Sequence, residues 1–295
     1  MADATVPVEL RNPGQVFACL GLMEAAEILC GPAEGGFAWT GRETRVPFCL
    51  SVDGPEDPVL AVLRFLSRAE VRALAPEGSG LAVKEPGVAT LIVEGSAFPC
   101  PQPGTPSALP AILLDPDDSA IVPMGHWADG PAVGRDNLKF WAGAGGYSGA
   151  ALTRDALDLV RFGSNALAEA ARDPFAVAAP QSSSFRFDWR RDYTALDVGF
   201  SPNEHGAIRM VGYPLVELLA AIGLQHARPQ RPDRSDKLRY RYAVAGVPLP
   251  TPLARAVLGG QTLGFPARFF TMRLGWPGQE GQARCILDAQ EESAP

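Results

Sequence analysis

Four glycines fall within seven residues at Gly143, Gly145, Gly146 and Gly149, in the stretch DNLKFWAGAGGYSGAAL. Glycine-rich loops bring backbone N–H groups up to phosphates, so the spacing decides what such a loop can hold. A dinucleotide fingerprint needs G-x-G-x-x-G, and counting from Gly143 puts Ser148 where the last glycine belongs. No Gly-Lys dipeptide occurs, which excludes a Walker A phosphate loop. Gly146-Tyr147-Ser148-Gly149 lacks the second spacer of a nucleophile elbow. What remains is a loop at a helix start, flanked by Arg135, Lys139, Trp141 and Tyr147, that suits close approach of another backbone or tight packing on its own sheet.

Catalytic and metal constellations are thin. The three histidines, His126, His205 and His226, are never four residues apart, so no helical zinc pair can form, and the expectation is no metal and no cofactor. A serine triad would have to draw on Ser148, His126 or His205, and Asp129 or Asp197, and nothing in their spacing favours one. Glu24 and Glu27 lie one turn apart with no motif around them and read as a solvated helix face. The expectation is a protein without catalysis of its own.

One constellation stands out. HARPQRPDRSDKLRYRY, from His226 to Tyr242, carries Arg228, Arg231, Arg234, Lys237, Arg239 and Arg241 against Asp233 and Asp236. On a strand, Arg239 and Arg241 fall on one face and Tyr240 and Tyr242 on the other. Guanidinium forks match phosphate oxygens, and aromatic rings stack on bases. FRFDWRRDY repeats the theme with Arg186, Arg190 and Arg191. Two readings stay open: a nucleic-acid surface, or an edge strand with its charges in water and its tyrosines in the core.

The bulk charge qualifies the first reading. There are 26 Lys+Arg against 33 Asp+Glu, a net of −7, which argues against non-specific grip on nucleic acid by the field of the whole molecule. Residues 1–120 carry −9, so the remainder is slightly basic. The five cysteines form no C-x-x-C pair. MADATVPVEL is not a signal-peptide start, and no uninterrupted apolar stretch reaches the roughly 18 residues of a membrane helix. The expectation is a reduced, soluble, cytoplasmic protein without a membrane partner.

The elements that must position these residues are mixed α+β. VPVEL reads as a strand, Asn12-Pro13 as a cap and first turn, and Gly31-Pro32 as the stop of that helix. GGFAWT and TRVPFCLSV follow as strands, Val59–Leu74 as a helix and Ala89–Phe98 as a strand. That order is β-α-β-β-α-β, the ferredoxin-like pattern. Further on come AILL and SAIVPMGHWA as strands, Ala150–Ala171 as one long helix, Ser182–Arg191 as a strand and Leu215–Leu224 as a helix. Lys237–Val244 reads as a strand, Pro252–Leu258 as a short helix, and FFTMRLGW with ARCILDA as a final strand pair. The proline-led helices near residues 13 and 214 echo one another, a hint of two related α+β halves, 1–120 and 121–295.

Taken in order, NPGQVFACLGLMEAAEILCGPAEGGFAW, DNLKFWAGAGGYSGAALTRDALDLV, DPFAVAAPQSSSFRFDWRRDY, MVGYPLVELLAAIGL, DKLRYRY and LGWPGQEGQARC resemble one family. It is the subunit encoded beside the backbone genes of type I-U (type I-G) CRISPR–Cas systems, described as large-subunit-like or as a member of the repeat-associated class. The resemblance spans Val6 to Ala289. It implies a non-catalytic member of a guide-RNA surveillance complex in antiviral defence, partnered by the other effector subunits and by guide RNA, target DNA or both. It also implies that two glycine loops lie against RNA backbone, Gly143–Gly149 and the run Gly275, Gly278 and Gly281, the latter between Arg273 and Arg284. In a large-subunit role the arginine strands would instead read a short duplex beside the target.

Overall fold

The computed structural model describes residues 1–77, 87–94, 111–124, 149–181, 183–191, 210–225, 227–233, 235–236, 238–275 and 285–292. It is mixed α+β, as the sequence predicts. Strand β1 (Ala2–Glu9) sends Val6 and Val8 inward, and Leu10 just beyond it is also buried. Helix α1 (Pro13–Cys30) starts at Pro13 and ends at Gly31, whose φ of 114° is open to glycine and strained for other residues. Strands β2 (Ala33–Phe37) and β3 (Arg45–Val52) follow, and helix α2 (Pro58–Arg68) is capped by Asp57, which accepts from the Leu60 N–H at 3.0 Å.

The segment expected as the end of α2 is strand β4 (Glu70–Pro76). Val71, Ala73 and Ala75 are buried there while Arg72 and Leu74 between them are half-buried, a period of two rather than 3.6. Strands β5 (Ala89–Val93), β6 (Ala111–Leu114) and β7 (Ile121–Met124) complete its sheet in the order β5-β4-β6-β7. The long helix expected to Ala171 is broken into α3 (Gly149–Leu159) and α4 (Ser164–Ala170), with Gly163 at the second N-terminus. A 3-10 turn at Pro174–Ala176 and the two-residue strands β8 (Ala179–Pro180) and β9 (Val211–Gly212) lead to α5 (Pro214–Gly223).

Strand β10 (Arg239–Ala245), short strand β11 (Leu249–Pro250), helix α6 (Thr251–Leu258) and strands β12 (Ala267–Gly275) and β13 (Cys285–Glu291) close the chain. β10, β12 and β13 form an antiparallel sheet in that order. The first sheet runs β1-β3-β2-β11. Its β1-β3-β2 portion has the strand order of a ferredoxin-like unit, while the strand after α2 joins another sheet.

Contacts between elements run across the boundary expected near residue 120. β11 hydrogen-bonds to β2, and α5 crosses α1. At that crossing a Cβ on Gly21 would lie 1.7 Å from the Leu219 carbonyl oxygen, and one on Gly223 would lie 2.2 Å from that of Phe17. Backbone therefore packs on backbone. α1 is long and apolar enough by length and composition to cross a membrane, and 78% of it is buried inside the protein.

Candidate nucleic-acid interface

β10 keeps the alternation read from the sequence, with a consequence for the tyrosines. Tyr240 and Tyr242 are 1% and 0% exposed. Tyr242 stacks on Phe270 at 5.3 Å, meets Phe17 edge-on at 5.8 Å, and donates its hydroxyl to the Leu10 carbonyl at 2.7 Å. Burial pushes its phenol well above the ordinary range. These rings are core, and the expectation that they stack on bases is corrected: inward-facing positions of a strand over a hydrophobic core have no access to a ligand.

The outer face carries the cations. Arg239 is directly opposite Arg273 on β12, and Arg273 in turn faces Asp288 on β13. The Arg239 side chain is 56% exposed and forms a 3.6 Å ion pair with Asp236. Arg273 is exposed. Like charges directly opposite on neighbouring strands destabilise a sheet. Arg241 differs, since its guanidinium grips Glu292 at 2.7–3.1 Å and lies 4.2 Å over the Phe269 ring. Gln230 exchanges backbone hydrogen bonds with Arg241 at 2.7 and 2.8 Å, which folds the half-buried Arg228 and Arg231 back beside β10.

The second arginine stretch is not a strand, and two of its three arginines are tied into the protein. Phe185 and Phe187 are both fully buried and stacked 5.4 Å apart, as alternate strand positions would be, but Arg186 between them has φ 68°, outside the extended region, and no strand forms over residues 183–191. The reason lies in where the backbone donors go. The N–H groups of Phe187 and Asp188 point at the Glu217 carboxylate at 3.0–3.3 Å. Asp188, fully buried, accepts from Asn12 Nδ2 at 2.8 Å and from Arg190 at 2.5–3.1 Å. Arg190 also donates to the Phe175 carbonyl at 2.8 Å and covers the Tyr213 ring at 3.6 Å. Arg191 is 5% exposed and donates to Ser184 Oγ and to the Gln181 carbonyl. Arg190 and Arg191 are therefore structural ties, which corrects their assignment to a nucleic-acid surface.

This buried polar network joins the start of α1, the 183–191 segment and the first turn of α5. Asn12 holds the N-cap position of α1 but makes no side-chain cap bond; its Nδ2 donates to Asp188 instead. Sequence reading missed Glu217 and Asp188. The signal was a lone carboxylate inside the apolar run LVELLAAIGL and another inside FRFDW.

Of the two glycine loops, only Gly149 and Gly275 fall among the described residues. Gly149 opens α3 and is buried, and its carbonyl accepts from Thr153 Oγ1 at 2.7 Å. A Cβ on Gly275 would meet the Leu287 side chain at 2.4 Å, so this glycine packs against its own sheet. Gly143, Gly145, Gly146, Gly278, Gly281, Arg135, Lys139, Arg234, Lys237 and the three histidines lie outside the described residues. Among the described residues no cluster of three or more His, Cys, Asp or Glu is placed to hold a metal. No family model, curated protein or solved structure matches this chain.

Proposed function

We propose that this chain is a non-catalytic subunit of a type I-U (type I-G) CRISPR guide-RNA surveillance complex that touches the phosphate backbone of guide RNA or target DNA through the outer face of the β10–β12–β13 sheet. The family part of the reading is supported by the ordered sequence segments that resemble that family. The observation that carries the nucleic-acid part is the cross-strand placement of Arg239 and Arg273. Two guanidiniums held side by side on one sheet face gain from a phosphate between them what they lose to each other. Arg228 and Arg231 flank them along the chain fold. Arg241 supports the face through Glu292 and Phe269 rather than reaching outward.

The acidic neighbours set the scale. Asp236, Asp288 and Glu292 stand beside these arginines, so the strip is short and its grip depends on few phosphates. The test is binding of the full chain to a single-stranded RNA and to a DNA duplex, titrated by fluorescence anisotropy across salt concentrations. Replacing Arg239 and Arg273 together with Ala should lower affinity uniformly across sequences and shrink the salt slope by about 1.4–1.8, the loss of two phosphate contacts. An unchanged slope, in a variant that still assembles with its partner subunits, would leave the chain an adaptor without nucleic-acid contact.

A further inference from the structure

Among the described residues the first sheet ends at β1, and the pairing fixes which of its backbone groups face that edge. Residues of an antiparallel strand alternate between spending both backbone groups on the neighbour and pointing both away. The Leu10 N–H donates to Thr44 at 2.7 Å on the β3 side, so Val8, Val6 and Ala4 also spend theirs on β3. Asp3, Thr5, Pro7 and Glu9 therefore point to the free edge. Glu9 is satisfied there, its N–H by Gln15 Oε1 at 2.7 Å and its carbonyl by the Asn12 N–H at 2.9 Å. Pro7 has no N–H. Among the described residues, neither Asp3 nor Thr5 has a backbone partner on this side.

A trench runs along the same edge. A cleft of about 390 Å³ is lined by Asp3, Ala4 and Thr5 with Asp57, Leu60 and Arg172. A second, of about 190 Å³, continues past Pro7 and Glu9 to Asp173 and Arg190. In a β-α-β-β-α-β unit the closing strand lies in this place beside β1. Here that strand is β4 and it pairs elsewhere.

We infer that an extended, positively charged segment of a different protein chain adds to the β1 edge as a fifth strand of this sheet. The backbone donors and acceptors of Asp3 and Thr5 call for an extended backbone, the β-augmentation mode. The rim calls for a cation. Asp3, Glu9, Asp57 and Asp173 line the trench against Arg172, Arg45 and Arg190; Arg190 is already held by Asp188 and Arg45 stands opposite Glu9 in the β1–β3 register, so carboxylates remain in excess. The surrounding residues 1–120 carry a net charge of −9. A second copy fits poorly, because β1 paired with itself about Thr5 sets Asp3 opposite Pro7, which has no N–H to donate. Pro7 limits the added strand to a short register next to Asp3 and Thr5.

The proposal is tested on the full chain with a synthetic decapeptide of alternating Lys and Val, and with a Glu–Val peptide of the same length. The Lys–Val peptide should bind, slow amide exchange at Asp3 and Thr5, and outcompete the Glu–Val peptide. Thr5→Pro removes an edge-facing N–H without touching the β3 ladder, so it should leave the unfolding midpoint in place and weaken the peptide by about tenfold, roughly one hydrogen bond plus a blocked register. No binding of the Lys–Val peptide, or binding that Thr5→Pro leaves intact, overturns the proposal. So does protection of the same amides in the protein alone as its concentration rises, which would give the edge to a second copy.

Discussion

Glu217 sits fully buried in the first turn of α5, where its carboxylate accepts from two backbone N–H groups and lies near Asp188 and Arg191. Burial dominates and raises its pKa from 4.5 to about 7. The Asp188 charge adds to the rise, and the backbone donors and Arg191 oppose it. Between these two values the folded protein binds more protons than the unfolded chain. Its stability therefore falls as pH rises through this window, by about 3 kcal/mol at most from this group. Glu217→Gln keeps an acceptor for the two N–H groups and removes the titration. Urea unfolding at pH 5 and pH 7.5 should show the wild type losing stability relative to this variant as pH rises. A difference between the two proteins that stays constant with pH would place the compensation for this buried charge elsewhere.

At the scale of elements, the α1–α5 crossing is set by Gly21 and Gly223, each facing a backbone carbonyl of the other helix at less than the width of a methyl group. Gly21→Ala should destabilise by about 3 kcal/mol or more, since the obstruction is backbone that no rotamer change relieves. A thermal scan checks this, and an unchanged midpoint would mean that the helices can separate freely. The sequence carried part of this plan. The proline-led starts of both helices, the Gly31 stop and the alternation of β1, β3 and β10 were all legible, because each is a local preference acting within a few residues. The end of α2 was not, since Val59 to Val71 fits helical spacing until burial of Val71, Ala73 and Ala75 imposes a period of two. The FRFDWRR segment was misread for a complementary reason. Its alternation is real, but Glu217 and Asp188, distant in sequence or hidden within it, take its backbone donors and its arginines. The tyrosine–arginine split of β10 followed from strand geometry, while the arrest of Arg241 by Glu292 required knowing which residues lie 51 positions away.

At the scale of the whole molecule, the acidic half and the basic half share one core. Residues of β1, α1, β3 and α2 belong to the same buried cluster as α5, β10 and β12. Long-range polar ties repeat the connection: Asn12 to Asp188, the Tyr242 hydroxyl to Leu10, and Arg255 to Glu24. Arg268 reaches across in the same way, donating to the Glu43 carbonyl while holding Glu291, whose carboxyl it keeps below the usual range. The sheet face proposed to meet nucleic acid and the β1 edge proposed to take a partner strand would then move as one body. Cooperativity tests this directly. Unfolding of the full chain in urea should follow a single transition that coincides by tryptophan fluorescence and by far-ultraviolet circular dichroism. A fragment of residues 1–120 lacks α5 and β11, leaves the crossing face of α1 in water, and should show no cooperative transition of its own. A fragment that unfolds sharply near the full-length midpoint would instead make the first half an independent folding unit, and the ties to Asp188, Tyr242 and Arg255 would then join two finished structures.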